Sequence, residues 1–252
     1  DIVNEDFTTD YAGVTESDTT ILPFAYNWHS NKVLGVSTMT FSGGENGAAI
    51  WGSTKGQSGQ EFGIPFQPGT TLGVKTEPDT KVGDTTYSAK PLDGEFTFEF
   101  DVTFLDALPA GGLWLYLRNG NGKNTARIEL GNTTAKYYYY TDAANSKQLG
   151  STKTIQNQAT HKVRMTLGTE GNTPYLNGLW IDGGAVTTAR QKITHDNYQG
   201  GTGWTALIAT AGAKNGITTA GDYCAIDNIR CYRSPEDQAK ELAGAEEGKI
   251  TF

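Results

Sequence analysis

The chain has 252 residues, 37% hydrophobic content, 32 glycines, 11% aromatics and a formal net charge of −8. That length suits one large β domain, the aromatic share excludes a disordered chain, and the lack of a run of about eighteen apolar residues excludes a membrane-spanning helix. The acidic balance argues against nucleic acid as a partner, and against polyanionic glycans unless a local basic patch or Ca2+ intervenes; neutral polysaccharide fits better.

Ile2 and Phe7, set among acids and followed by Gly13, predict a short first strand and a turn. Strand-like runs follow at 32–41, 48–51, 70–75, 94–105, 112–118, 125–130, 135–141, 160–167, 175–181 and 204–210, with a closing strand at 225–232. Gly-Asn turns at 120–123 and 131–134 separate some of them. Many short strands with Gly-rich turns point to an all-β, antiparallel two-sheet sandwich. Within 161–167, Val163, Met165 and Leu167 share one face, while Leu176 and Ile181 flank an Asn-Gly turn signal. The segments 161–167 and 175–183 read as an antiparallel hairpin. After Arg233 the pattern changes. Ser234 is a helix cap, Pro235 suits the first helical position, Glu236 and Asp237 suit the first turn, and Gly244 stops the run, which predicts a short C-terminal helix at 235–243. The expected division is a sandwich over 1–233 and a helix with tail over 234–252. The tail reads either as a returning edge strand or as the start of a following module.

Cys224 and Cys231 are the two cysteines. In one extended run they would stand roughly 23 Å apart, against the about 7 Å limit for a disulfide, so two free thiols are expected. The histidines His29, His161 and His195 carry no metal spacing.

Four stretches carry candidate chemistry. In 113–119, Leu113, Leu115 and Leu117 claim the core, because burying each is worth about 1.5–3 kcal/mol. Trp114, Tyr116 and Arg118 then face the other way, an aromatic and guanidinium set suited to sugar rings and hydroxyls. In 136–141, parity puts Tyr138 and Tyr140 beside Lys136. If 113–119, 125–130 and 135–141 form a meander, Arg127 and Glu129 lie between the two aromatic strips. In 26–31, Trp28 and Asn27 form a loop platform with hydrogen-bonding groups, and Trp204 stands at a loop–strand junction. The fourth stretch, 96–104, alternates Phe96, Phe98, Phe100, Val102 and Phe104 with Thr97, Glu99, Asp101 and Thr103, which puts Glu99 and Asp101 on one face.

The strand opening His161-x-Val163, with its following hairpin bearing Asn177-Gly178 and Asp182-Gly183, resembles the concanavalin A-like and laminin-G-like jelly-roll superfamily. The opening Glu5-Asp6-Phe7 and closing 226–230 resemble the two termini of bacterial jelly-roll modules, where they pair side by side; this predicts 4–7 against 226–229. The resemblance implies a carbohydrate-binding module of a bacterial polysaccharide-utilising surface protein, extracellular or at the cell surface, among other modules of a larger chain. Its expected ligand is a polysaccharide or oligosaccharide, with a neutral glucan such as starch preferred, held without bond breaking. Structural calcium clamping the terminal strands is also implied, with Glu5, Asp6 and Asp227 as ligands. Two rivals share the fold. Glu99 and Asp101 resemble the start of the Glu-x-Asp-x-x-Glu strand of laminarinase-like glycoside hydrolases, but the third acid is missing, since 103 and 104 are Thr and Phe. A polysaccharide lyase would instead show a Tyr/His/Arg cluster. A protein-binding adhesin is the other alternative and would show an exposed apolar patch.

Overall fold

The computed structural model describes residues 2–8, 29–30, 37–54, 61–67, 75–76, 80–81, 91–120, 122–195, 203–211 and 219–233. The strands among them are β1 Val3–Glu5, β2 His29–Ser30, β3 Ser37–Ser42, β4 Ala48–Ser53, β5 Glu61–Pro65, β6 Lys75–Thr76, β7 Thr80–Lys81, β8 Phe96–Phe104 and β9 Leu113–Asn119. They continue with β10 Asn124–Leu130, β11 Thr134–Tyr140, β12 Ser146–Gln148, β13 Lys153–Thr154, β14 Thr160–Glu170, β15 Thr173–Ile181, β16 Gly184–Lys192, β17 Trp204–Ala211 and β18 Gly221–Arg233. The helix expected at 235–243, the tail, and the loop residues Asn27 and Trp28 lie outside the described residues.

Two antiparallel sheets make a sandwich. The back sheet runs β16-β15-β14-β8-β18-β4-β3, with β1 also on β18; the front sheet runs β12-β11-β10-β9-β17-β5-β2, with β13 also on β11. The expected pairing of the first strand with the closing one holds, with Val3 opposite Cys231 and Glu5 opposite Ile229. Alternation explains the core. Phe96, Phe98, Phe100 and Val102 of β8 and Val163, Met165 and Leu167 of β14 point in from the back sheet. Leu113, Leu115 and Leu117 of β9, Ile128 of β10 and Tyr137 of β11 point in from the front, all of them fully buried.

The expected hairpin 161–183 forms as β14 and β15, joined through Gly171 and Asn172 between the two runs, while the Asn177-Gly178 turn signal closes no turn. The strands exchange at Glu170 and Thr173, and Asn177-Gly178 sits inside β15 at a register irregularity. Gly178 has φ +103, and a Cβ there would strike the Trp180 ring at 2.4 Å. The glycine thus allows the bulge and makes room for the indole. Asp182-Gly183 makes the following turn instead. Asp182 takes φ 52 and ties that turn to the start of β14: its Oδ2 lies 2.7 Å from buried His161 Nδ1, and its Oδ1 accepts from Lys162 N at 2.8 Å.

Strand β18 carries a second irregularity with a consequence for the thiols. Positions 224 and 231 have opposite parity, so a regular strand would put one thiol outside. The register shifts between Asp227 and Arg230, with Asn228 at φ 50, and this bulge resets the alternation. Both cysteines are therefore buried, and both are free. Burial pushes both thiols well above their ordinary range. Neither is expected to react with an aromatic disulfide reagent in the folded protein, and both should react once it is unfolded in denaturant. Fast labelling of the native state would contradict this.

Candidate functional site

The outer face of the front sheet collects the residues left over when the leucines of β9 turn inward. Strand registers place Gln148, Tyr138, Arg127, Tyr116, Ile208 and Gly63 in one row, with His29 opposite Gly63 at its end. The neighbouring row holds Lys136, Glu129, Trp114, Thr210 and Glu61. The meander β9-β10-β11 thus puts Arg127 and Glu129 between the two aromatic strips, as their parity predicts.

Arg127 is the centre of this face. Its guanidinium carbon lies 4.6 Å from the Trp114 ring centroid and 4.5 Å from that of Tyr138. Nη1 donates to the Tyr140 hydroxyl at 3.0 Å, and Nη2 lies 3.1 Å from Glu129 Oε1. The cation lies within cation–π range of two rings and is paired with one carboxylate. Trp114, Tyr138, Tyr140, Arg127 and Glu129 are each partly exposed. Together they form a shelf whose rings and hydrogen-bonding groups are fixed before any ligand arrives. Arg118, farther along β9, donates from Nε to Asn124 Oδ1 at 3.1 Å and stands 4.0 Å from Glu61.

Tyr116 faces the same way but is only 8% exposed, clustered with Ala206 and Ile208, with Trp114 and Tyr140 packed against it. It supports the shelf rather than presenting a stacking surface, which corrects the expectation from alternation alone. Its phenol is pushed up to about 12, first by burial and then by Tyr140. On the back sheet Tyr175 also reaches about 12, through burial and then its hydrogen bond to Glu95. A raised phenol leaves the folded state reluctant to ionise. The stability these two groups contribute is complete below pH 10, the ordinary value, and drains away as pH rises toward about 12. Urea midpoints measured from pH 7 upward should begin to fall at about 9, where the thiols of Cys224 and Cys231 ionise only on unfolding, and fall more steeply above 10 as the phenols join them; a flat profile to 12 would refute the assignment.

Trp204 is not a platform. It is fully buried, and its indole Nε1 donates to the Gly168 carbonyl at 2.8 Å. Its backbone exchanges hydrogen bonds with Leu92 at 2.8 and 2.9 Å. The register shift between Trp204 and Ala206 breaks the alternation of β17 and turns the ring inward between the sheets. Of the residues expected to hold calcium, Asp227 feels the charges of Asp6 and of Asp101. Glu5 Oε1 accepts from Phe7 N at 2.7 Å, Asp6 Oδ1 accepts from Thr8 N and Oγ1, and Asp227 Oδ1 accepts from Asn228 N. Among the described residues no group of three or more His, Cys, Asp or Glu is spaced to hold a metal ion, whereas calcium takes six to eight oxygens.

Glu99 and Asp101 share the outer face of the back sheet, as expected, and both are engaged. Glu99 accepts from the Tyr232 hydroxyl at 3.1 Å and lies 3.7 Å from Arg230. Asp101 pairs with Lys162 at 3.1 Å and accepts from Asn228 Nδ2 at 2.8 Å. This is an ion-paired sheet surface. Glu61 and Gln148 join the front face without having stood out in the sequence, because β5 and β12 carry no alternating signal.

No family model matches the chain, and no curated protein does. Solved structures do. A variant of alginate lyase Aly36B in complex with alginate trisaccharide superposes with a TM-score of 0.55 at 14% identity, over 92% of this chain and 98% of that one. Cellulose induced protein Cip1 gives 0.54 at 14%, over 92% and 97%. Alginate lyase Aly36B itself gives 0.50 at 12%, over 92% and 96%. The fold is a two-sheet β-sandwich jelly roll. At these identities the likeness is one of architecture, and the chemistry has to be argued from the shelf itself.

Proposed function

We propose that this chain binds polysaccharide on the outer face of its front sheet without cleaving it. The observation that carries the reading is Arg127 clamped between Trp114 and Tyr138 beside Tyr140 and Glu129. Rings suit the C–H faces of pyranoses, and the flanking guanidinium, carboxylate and phenols suit hydroxyls. Pairing of Arg127 with Glu129 and of Arg118 with Glu61 leaves Lys136 as the added charge, which suits a neutral chain such as a starch-like glucan. The raised Tyr116 phenol favours a hydrogen-bond donor over a base. The reading carries with it an extracellular or cell-surface setting.

A polysaccharide lyase is the second reading. It is favoured by the row that sets Tyr116 and Arg127 in line with the register position of His29, and by a fold shared with alginate lyase Aly36B. One experiment separates the two. The protein is run through affinity gels containing starch, other neutral glucans or alginate, and is also incubated with each in solution. Retardation without new reducing ends or unsaturated products supports binding alone. Unsaturated products would replace that reading with the lyase, and no retardation in any gel would end both.

A further inference from the structure

The outer face of the back sheet repeats the chemistry of the front shelf. Strand registers set Trp180, Arg164, Glu99 and Arg230 in one row across β15, β14, β8 and β18, about 14 Å long at the usual strand spacing. We infer that this row is a second glycan shelf, so that one molecule holds two polysaccharide chains and cross-bridges them. The bridging rests on the carbohydrate reading of the front shelf, whereas the second shelf is argued from its own residues.

Parity turns the row outward. Leu179, Ile181, Val163, Met165, Phe98 and Phe100 fill the core, which leaves Trp180 and Glu99 partly exposed and Arg164 exposed. The Arg164 guanidinium carbon lies 4.6 Å from the Trp180 ring centroid, the distance at which Arg127 meets Trp114. Arg230 lies 4.9 Å from the Tyr232 ring, and the Tyr232 hydroxyl donates to Glu99, which stands 3.7 Å from Arg230. Ring, guanidinium, carboxylate and phenol thus recur in the combination found around Arg127. Charge decides the occupant. In this row and the next, the cations Lys162, Arg164 and Arg230 stand with the carboxylates Glu99, Asp101 and Asp227, a balance that favours neither a polyanion nor an acidic peptide. The other outward positions of β8 and β14, from 97 to 103 and from 160 to 166, are threonines. They offer no aliphatic side chain to seed the dry centre of a protein interface. An uncharged, hydroxyl-rich chain fits the face, with rings for its C–H surfaces and guanidinium and carboxylate for its hydroxyls. Arg164 has one ring wall where Arg127 has two, which makes the back shelf the weaker of the pair. The two shelves look away from each other on opposite faces of the sandwich, so filling both joins two chains.

The test mixes the protein with soluble starch or with a soluble β-glucan and follows light scattering, beside affinity gels of the same two polysaccharides. Wild type should be retarded, and its scattering should rise to a maximum and fall again once protein is in excess, as bridging through two sites requires. Trp180→Ala and Arg164→Gln should each remain retarded, through the front shelf, and lose the scattering maximum. Arg164 is exposed, so its variant keeps the fold, and retardation itself reports that each variant is folded. Retardation of wild type with no scattering maximum would overturn the second shelf and leave the front one standing. A maximum that survives in either variant would overturn it too, since bridging would then run through another surface or a dimer. No retardation of wild type in either gel would remove the front shelf and the bridging together.

Discussion

Trp204→Ala is expected to cost about 3–5 kcal/mol of stability, the range for emptying an aromatic site in a packed core. The indole is fully buried, and it also supplies the donor for the Gly168 carbonyl. Removal therefore leaves both a cavity and a buried acceptor without a partner. Trp204→Phe separates the two costs, since it fills most of the volume but has no N–H. Urea unfolding followed by circular dichroism should rank wild type above the phenylalanine variant and both above the alanine variant. An alanine variant as stable as wild type would mean the residue does not sit between the sheets.

Trp114→Ala should behave in the opposite way. It is expected to lower glycan affinity by about 2 kcal/mol, roughly thirtyfold, as for an aromatic anchor at a recognition surface. Its unfolding should shift by no more than about 1 kcal/mol, because the ring is partly exposed. The affinity loss has two sources. One is the missing ring face, and the other is Arg127, which loses one wall of its clamp at 4.6 Å and can leave the geometry that Glu129 and Tyr140 hold. Gel retardation on the best-retarding glucan measures the first effect and urea unfolding the second. A stability loss equal to that of Trp204→Ala, or unaltered retardation, would remove Trp114 from the site.

Alternation made the front face legible. Three leucines in β9 fix which way Trp114 points, and Tyr137 buried in β11 fixes Tyr138 and Tyr140 outward. What alternation cannot supply is the depth of cover. Tyr116 and Trp114 share a parity and a strand, yet Ala206 and Ile208, which no local pattern associates with them, close over one and not the other. Trp204 followed Gly-rich sequence and read as a junction; its parity is that of outward-facing Ala206 and Ile208, and only the register shift between Trp204 and Ala206 brings it in with Leu207 and Ala209. Bulges hid in the same way. Asn177-Gly178 carries the residues of a hairpin turn and is spent on a strand irregularity, and the odd spacing of the cysteines became informative only with Asn228 in the left-handed region. Strands β5 and β16 were missed because Gly63 and Pro65 read as breakers in one, and Thr and Ala leave little apolar contrast in the other.

The path of β18 has a consequence for how this chain becomes a folded molecule. In the back sheet the segments before residue 54 reach β8 through 221–233 and by no other described strand pairing. During synthesis, β3 and β4 emerge early and form a local ribbon, then wait for some 170 residues before the strand that joins them to the rest leaves the ribosome. Closure over such a span makes completion of the sheet slow and late. Until then the edges of β4 and β8 stay open to pairing with other chains.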